Sequence, residues 1–317
     1  MLLHENEDLF NNLVIQTAAF KHIPQNAVIK DYMICSILQK LSKSEYVNKC
    51  IFKGGTSLSK CYEGAIDRFS EDIDLTYLPQ ADESTKSIER NLKNIEKRLA
   101  GNFEIEKIES ERSNRNKSAY LSKNILGSPC RIKLEIGSSV RPEPYSLLAV
   151  KTYFQEFLES LDNAEAKAVV AEYELAEFKI NVLDIVRTFI DKVFAVKRHV
   201  LEGTINNKAR HLYDIVRLWK RMEVQAFITD AAKFKELVQI VKTTDSEYLD
   251  GKRLCLYYHP NEKFNYNNWH DKLNNAELKK RYERLHKDLL YTDEKQKFDD
   301  VLIVMEQIAE RFNAIGE

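Results

Sequence analysis

Two short segments constrain this chain more than anything else in it: C-I-F-K-G-G-T-S-L-S-K at 50–60 and R-F-S-E-D-I-D-L at 68–75. In the first, a brief apolar run, Cys50 to Phe52, meets Gly54 and Gly55, and a helix is expected to begin near Thr56. In the second, Ile73, Leu75 and Tyr77 alternate with Asp72, Asp74 and Thr76, the pattern of a strand with one apolar face. A spacing of two puts both carboxylates on the same face, about 7 Å apart along the strand. Carboxylates so placed suit a hard divalent cation such as Mg²⁺ (or Mn²⁺), which takes oxygen ligands and completes its shell with water and substrate phosphates. The glycines let backbone approach a phosphate closely, and amides at a helix start attract anions. Gly54, Gly55, Thr56 and Ser57 are therefore candidate nucleotide contacts, and the flanking Lys60 and Arg68 could reach phosphates. Alone, a D-x-D at a strand start is usually a solvated edge, and a lone G-G turn says less. The ordered combination is what carries the signal.

The rest of the first half reads as mixed structure. Ile29, Met33, Ile37 and Leu41 mark a helix over 24–43, and Ile88, Leu92, Ile95 and Leu99 mark another that Gly101 caps. Residues 103–108 and 118–126 read as strands of a hairpin across E-R-S-N-R-N-K. R-I-K-L-E-I at 131–136 is a further half-polar strand that puts Glu135 on its polar side, as a candidate third metal ligand. The alternative for Glu135 is a surface salt bridge. R-P-E-P-Y at 141–145 breaks the pattern, and from about 146 nearly everything reads as helix. Apolar stripes run through Ile185, Phe189, Val193, Val196 and Val200, and through Leu212, Ile215, Val216 and Trp219. Helices are expected near 276–290 and 294–313, after a Tyr- and Asn-rich loop at 256–269.

Composition excludes several classes. A net charge of −1 gives no global field for nucleic acid, so an RNA partner would need a local patch. Residues 197–221 offer one, with seven Lys or Arg against two acids. Lys197, Arg198, Lys208, Arg210, Arg217 and Arg221 are the candidate RNA contacts, although such runs are most often solvated helix faces. Five scattered cysteines (Cys35, Cys50, Cys61, Cys130 and Cys255) form neither a zinc spacing nor a disulfide framework, which suits a reducing cytoplasm. No apolar run approaches the ~20 residues of a membrane span, and M-L-L-H-E-N-E-D-L-F lacks the pattern of a secretory signal.

F-K-G-G-T-S-L-S-K with R-F-S-E-D-I-D-L resembles the signature of the AbiEii/AbiGii toxin family of nucleotidyltransferases, in the DNA polymerase β-like superfamily. The similarity continues in order over residues 28–220. R-I-K-L-E-I is similar to the third-carboxylate strand, V-L-D-I-V-R-T-F-I-D-K-V-F-A-V to the helix bearing a catalytic lysine, at Lys192, and K-A-R-H-L-Y-D-I to the helix bearing an aspartate, at Asp214. One departure is His211, where family members often carry an acid. The resemblance implies an α+β fold: a polymerase β-like core with a small mixed sheet over 1–145, and a mostly helical domain over 146–317 that completes the active site. It also implies Asp72, Asp74, Lys192 and Asp214 as catalytic residues, a divalent metal, and NTP as substrate. The expected acceptor is the tRNA 3′ end, and the expected partner is a cognate antitoxin of the AbiEi-like repressor kind, within a toxin–antitoxin or phage-defence system. A monomer is compatible with this.

By residue spacing alone, Lys192 lies at the edge of its apolar stripe and could equally reach solvent. Arg210, Asp214, Arg217 and Arg221 are expected to form one polar stripe, whose arginines would keep Asp214 ionised. The aromatic segment at 257–270 could stack on bases, with core packing the commoner use. Two other functions fit the residues: nucleotidyl transfer to a protein hydroxyl, and a non-catalytic NTP-binding regulator.

Overall fold

The structure is a computed structural model that describes residues 2–249, 257–288, 290, 294 and 296–317. Contacts divide it into two units. The first comprises Met1–Cys61, Phe69–Ser138 and Tyr145–Val182; the second comprises Tyr62–Arg68, Ser139–Pro144 and Leu183–Glu317.

The first unit is built on a seven-stranded mixed sheet: β1 (Cys50–Lys53), β2 (Asp72–Tyr77), β3 (Glu104–Lys107), β4 (Asn116–Ile125), β5 (Ser128–Gly137), β6 (Tyr145–Val150) and β7 (Phe178–Leu183). Their order across the sheet is β3-β4-β5-β2-β1-β7-β6. Its helices are α1 (Glu7–Lys21), α2 (Gln25–Ser42), α3 (Gly54–Cys61), α4 (Thr85–Ala100), α5 (Tyr153–Leu161) and α6 (Ala164–Glu172). Strand β2 runs parallel to β5 and antiparallel to β1. The alternation read from the sequence holds: Ile73, Leu75 and Tyr77 are buried, as are Ile132, Leu134 and Ile136 of β5. Helices α2 and α4 pack on the β4–β5 side, and burial of Met33, Ile37, Leu41, Ile88, Leu92, Ile95 and Leu99 is what holds them there. Gly101 ends α4 at φ +56°. The 103–108 and 118–126 pair is a hairpin, with Glu104 opposite Ser122. Strands β4 and β5 turn through Leu126 and Gly127, both at positive φ, as a two-residue hairpin requires.

Strands β6 and β7 depart from the helical reading of everything after 146. Y-S-L-L-A-V is a short, mostly apolar run that periodicity cannot separate from helix, whereas F-K-I-N-V alternates apolar and polar residues with the period of a strand. Both pair into the sheet: β7 lies parallel to β1, with Phe52 opposite Val182.

The second unit is helical: α7 (Ile185–Leu201), α8 (Ala209–Trp219), α9 (Met222–Thr229), α10 (Ala231–Leu249), α11 (His270–Leu273), α12 (Ala276–Asp288) and α13 (Phe298–Ala314). Helix α8 packs on α7, α12 and α13. The apolar stripe of α7 is buried throughout. The 257–270 segment supplies core: Phe264 stacks on Phe312 at 4.2 Å and meets Phe194 edge-on at 6.0 Å, while Trp269 and Tyr258 are each 1% exposed. Cys35, Cys50, Cys61 and Cys130 are free thiols, and Cys255 lies outside the described residues. No described helix is long and apolar enough to cross a membrane.

Candidate active site

In the first unit the geometry begins at the end of β1. Gly54 has φ +85°, a conformation that L side chains rarely adopt, and a Cβ there would collide with Asp74 Oδ2. The start of α3 is thus pressed against the Asp74 carboxylate, with only glycine leaving room. Helix α3 begins at Gly54, two residues before the expected start.

Thr56 and Ser57 are buried, 1% and 0% exposed, and their hydroxyls serve the scaffold. Thr56 Oγ1 donates to Asp72 O at 2.5 Å and lies 2.9 Å from Ser70 Oγ, while Ser57 Oγ donates to Gly54 O at 2.9 Å. Thr56 ties the turn to the first residue of β2, and Ser57 closes the turn on itself. What the turn offers a ligand is backbone N–H groups, because the first amides of a helix lack intrahelical partners.

Asp72 and Asp74 are half-buried on one face of β2. Register places Lys53, Asp74 and Glu135 in one row across three strands, and Lys133 beside Asp72. Glu135 therefore stands next to Asp74, but its carboxylate ion-pairs with Lys133, which also binds Glu111 at 2.8 Å. Burial works against the Lys133 charge, yet the two glutamates raise its pKa. Lys133 was visible in the sequence as the residue two before Glu135, but only pairing of β2 with β5 sets it beside Asp72. No cluster of three or more His, Cys, Asp or Glu suited to a metal forms among the described residues.

Lys60 is turned inward. Its Nζ lies 2.5 Å from Asp31 Oδ1, both side chains are 4% exposed, and the ammonium sits 4.2 Å from the Tyr153 ring centroid. The Tyr153 N–H donates to Asp31 Oδ2 at 2.7 Å. Burial opposes the Lys60 charge, but Asp31 overrides it and raises the pKa. Asp31, on α2, is a partner that the local motif could not reveal.

In the second unit Asp214 is completely buried on α8 and receives two cations. Arg68 Nε and Nη2 donate to Asp214 Oδ1 and Oδ2 at 2.6 and 2.7 Å, and Lys192 Nζ of α7 lies 2.7 Å from Oδ2. Burial disfavours the carboxylate, but Arg68 and then Lys192 outweigh it and hold the pKa well below the ordinary range. The residue read as a phosphate contact, Arg68, is thus 5% exposed and clamps Asp214. His211 adjoins this triad. Burial, then the Lys192 charge, keeps its pKa well below normal, so the imidazole adds no third cation.

The basic run separates by burial and pairing. Lys197 is 3% exposed and donates to Lys263 O at 2.6 Å. Burial, then Lys242, lowers its pKa to about 8. Arg217 binds Asp67 at 2.8 Å and Glu294 at 3.3 Å, and Arg221, beyond the end of α8, binds Glu223 at 2.7 Å. Arg198 and Lys208 are half-buried, and Arg210 is exposed. The polar stripe expected on α8 is therefore broken: Asp214 faces inward and Arg210 outward.

The profile of a protein family described as the nucleotidyl transferase AbiEii toxin of type IV toxin–antitoxin systems matches residues 36–304. No curated protein matches the chain. Among solved structures, MenT4, a nucleotidyltransferase toxin from Mycobacterium tuberculosis, is similar over 96% of this chain and 98% of its own, at 20% identity and a TM-score of 0.50. JHP933 from Helicobacter pylori is similar over 93% and 99%, at 15% identity and a TM-score of 0.41. At these identities the likeness concerns the fold alone.

Proposed function

Because this chain belongs to the AbiEii nucleotidyltransferase toxins of type IV toxin–antitoxin systems, we propose that it transfers NMP from an NTP to the 3′ end of tRNA in a Mg²⁺- or Mn²⁺-dependent reaction. The observation that carries this reading is the approach of Gly54 to Asp74, which sets the amides of the α3 start against a face holding two carboxylates. Asp72 and Asp74 would hold the metal, because hard cations take carboxylate oxygens and leave coordination positions for phosphates. When bound, the metal would neutralise triphosphate charge and align the attacking hydroxyl. Gly54 and Gly55 would cradle phosphate oxygens through backbone N–H groups. Glu135 would join the metal site only by exchanging Lys133 for it. For Lys192 we carry the family role, an ammonium that balances phosphate charge, with Asp214 fixing its Nζ. The cytoplasm is the proposed compartment, an AbiEi-like repressor the proposed antitoxin, and phage defence a proposed setting.

The test is labelling of total RNA with each of the four NTPs, with and without Mg²⁺. One NTP is expected to label a tRNA band. Asp74→Ala is expected to lower the rate about a thousandfold, roughly 4 kcal/mol, with an unchanged melting curve. Labelling that survives in this variant sinks the metal assignment. Bands that resist RNase and vanish with protease would move the acceptor to protein.

A further inference from the structure

We propose that a groove on the second unit, between the N-terminal turn of α8 and the outer face of α12, binds the phosphodiester backbone of the RNA acceptor. The inference rests on the RNA-acceptor reading above and names the surface that would hold that RNA. The groove measures about 430 Å³. Among the described residues, Arg210, Lys280, Arg281 and Arg284 line it against a single carboxylate, Glu277.

Pairing divides these cations. Arg281 Nε binds Glu277 at 2.7 Å, and its Nη1 donates to Asn207 Oδ1 at 2.9 Å. That brace neutralises the one acid and ties α12 to the turn before α8. Arg210, Lys280 and Arg284 are exposed and pair with no carboxylate among the described residues. Among the described residues they are charges without an acidic partner, in a chain whose formal total is −1.

Their spacing favours a strand of phosphates over one compact anion. Lys280 and Arg284 stand one helical turn apart, about 6 Å along α12, close to the separation of neighbouring phosphates on a nucleic-acid strand. Arg210 faces them from α8. Guanidinium groups grip phosphate through paired N–H donors, and an ammonium adds a point charge. The N-terminus of α8 has no side-chain cap, so its amides add partial positive charge beside Arg210. Among the described residues the lining includes no aromatic side chain on which a base could stack. The groove should therefore hold RNA by its backbone, strongly salt-dependent and indifferent to base sequence.

The probe is fluorescein-labelled bulk tRNA, titrated with the full chain by fluorescence anisotropy between about 50 and 200 mM salt. Arg210→Ala/Lys280→Ala/Arg284→Ala is expected to weaken binding roughly tenfold or more and to flatten the salt slope by about 2 to 3. NTP binding and melting temperature should stay unchanged. Arg210→Lys/Arg284→Lys, which keeps the charges, should retain most of the affinity and the full slope. Unchanged tRNA affinity and slope in the triple alanine variant, while the wild-type chain still labels tRNA, overturns the groove and leaves the acceptor reading standing. A wild-type chain that neither binds nor labels tRNA overturns both. Loss of polyglutamate binding in the triple variant, with tRNA binding intact, would give the groove to an acidic protein instead.

Discussion

Asp74 and Asp214 are both aspartates that the family resemblance marks as catalytic, yet the two regions treat them oppositely. Asp74 is half-buried on a sheet face, flanked by Asp72, with a glycine turn pressed against it. Asp214 is sealed inside a helical unit, gripped by Arg68 and Lys192. A carboxylate beside a like charge on an accessible face suits an added cation. A carboxylate that already holds two buried cations is saturated and can act only by fixing its partners. The same residue type thus stands half-buried beside a second aspartate in one region and braces two buried cations in the other.

Breaking the brace should give the largest effect on stability. Asp214→Ala leaves Arg68 and Lys192 buried without their counter-ion, and is expected to cost about 3–5 kcal/mol in chemical denaturation. The pH dependence follows from the depressed Asp214 pKa. Its folded value lies below the ordinary aspartate value of 3.8, so its stabilisation is complete above that pH and is lost as pH falls below it. The gap between wild type and Asp214→Ala should be full at neutral pH and narrow under acid. A gap of under about 1 kcal/mol at neutral pH, the range of an exposed ion pair, would break the contrast.

Gly54→Ala probes the other region with a smaller effect. The left-handed φ costs about 1–2 kcal/mol for an alanine, and the new methyl must displace the Asp74 carboxylate. Turnover should fall well over tenfold for a modest loss of melting temperature. Wild-type turnover would show that the Asp74 position is not tied to this turn.

The smallest effect sorts the basic run. Lys197→Met should leave tRNA affinity unchanged, because Lys197 is committed to the interior. In the wild-type chain the folded state releases this proton near pH 8, whereas the unfolded chain holds it to about 10.5. Stability should therefore rise through that window, and Lys197→Met should flatten the rise. Weaker tRNA binding in Lys197→Met would return this lysine to the surface.

Much of the fold was legible because alternation and helical period report burial directly. Asp72 to Tyr77, the α2 and α4 stripes and the Gly101 cap all stand where local pattern put them. Strand β6 was not legible, since a short, mostly apolar run takes its conformation from the neighbour it pairs with, whereas the alternation of F-K-I-N-V in β7 carries the strand signal locally. Of the candidate site, Asp72 and Asp74 could be read as one face of β2, and Lys133 and Glu135 as one face of β5, but not the pairing of the two strands that sets Glu135 beside Asp74 and Lys133 beside Asp72.

By itself the sequence determined the family, the glycine turn and the shared face of Asp72 and Asp74, because these depend on residue type and spacing within one element. Only the tertiary structure decided which cations are spoken for. Lys60 meets Asp31 from another helix, Arg68 meets Asp214 across 146 residues of chain, and Lys197 turns into the core, while Arg210 stays outside. A charge's partner is set by long-range packing, and local sequence carries no record of it.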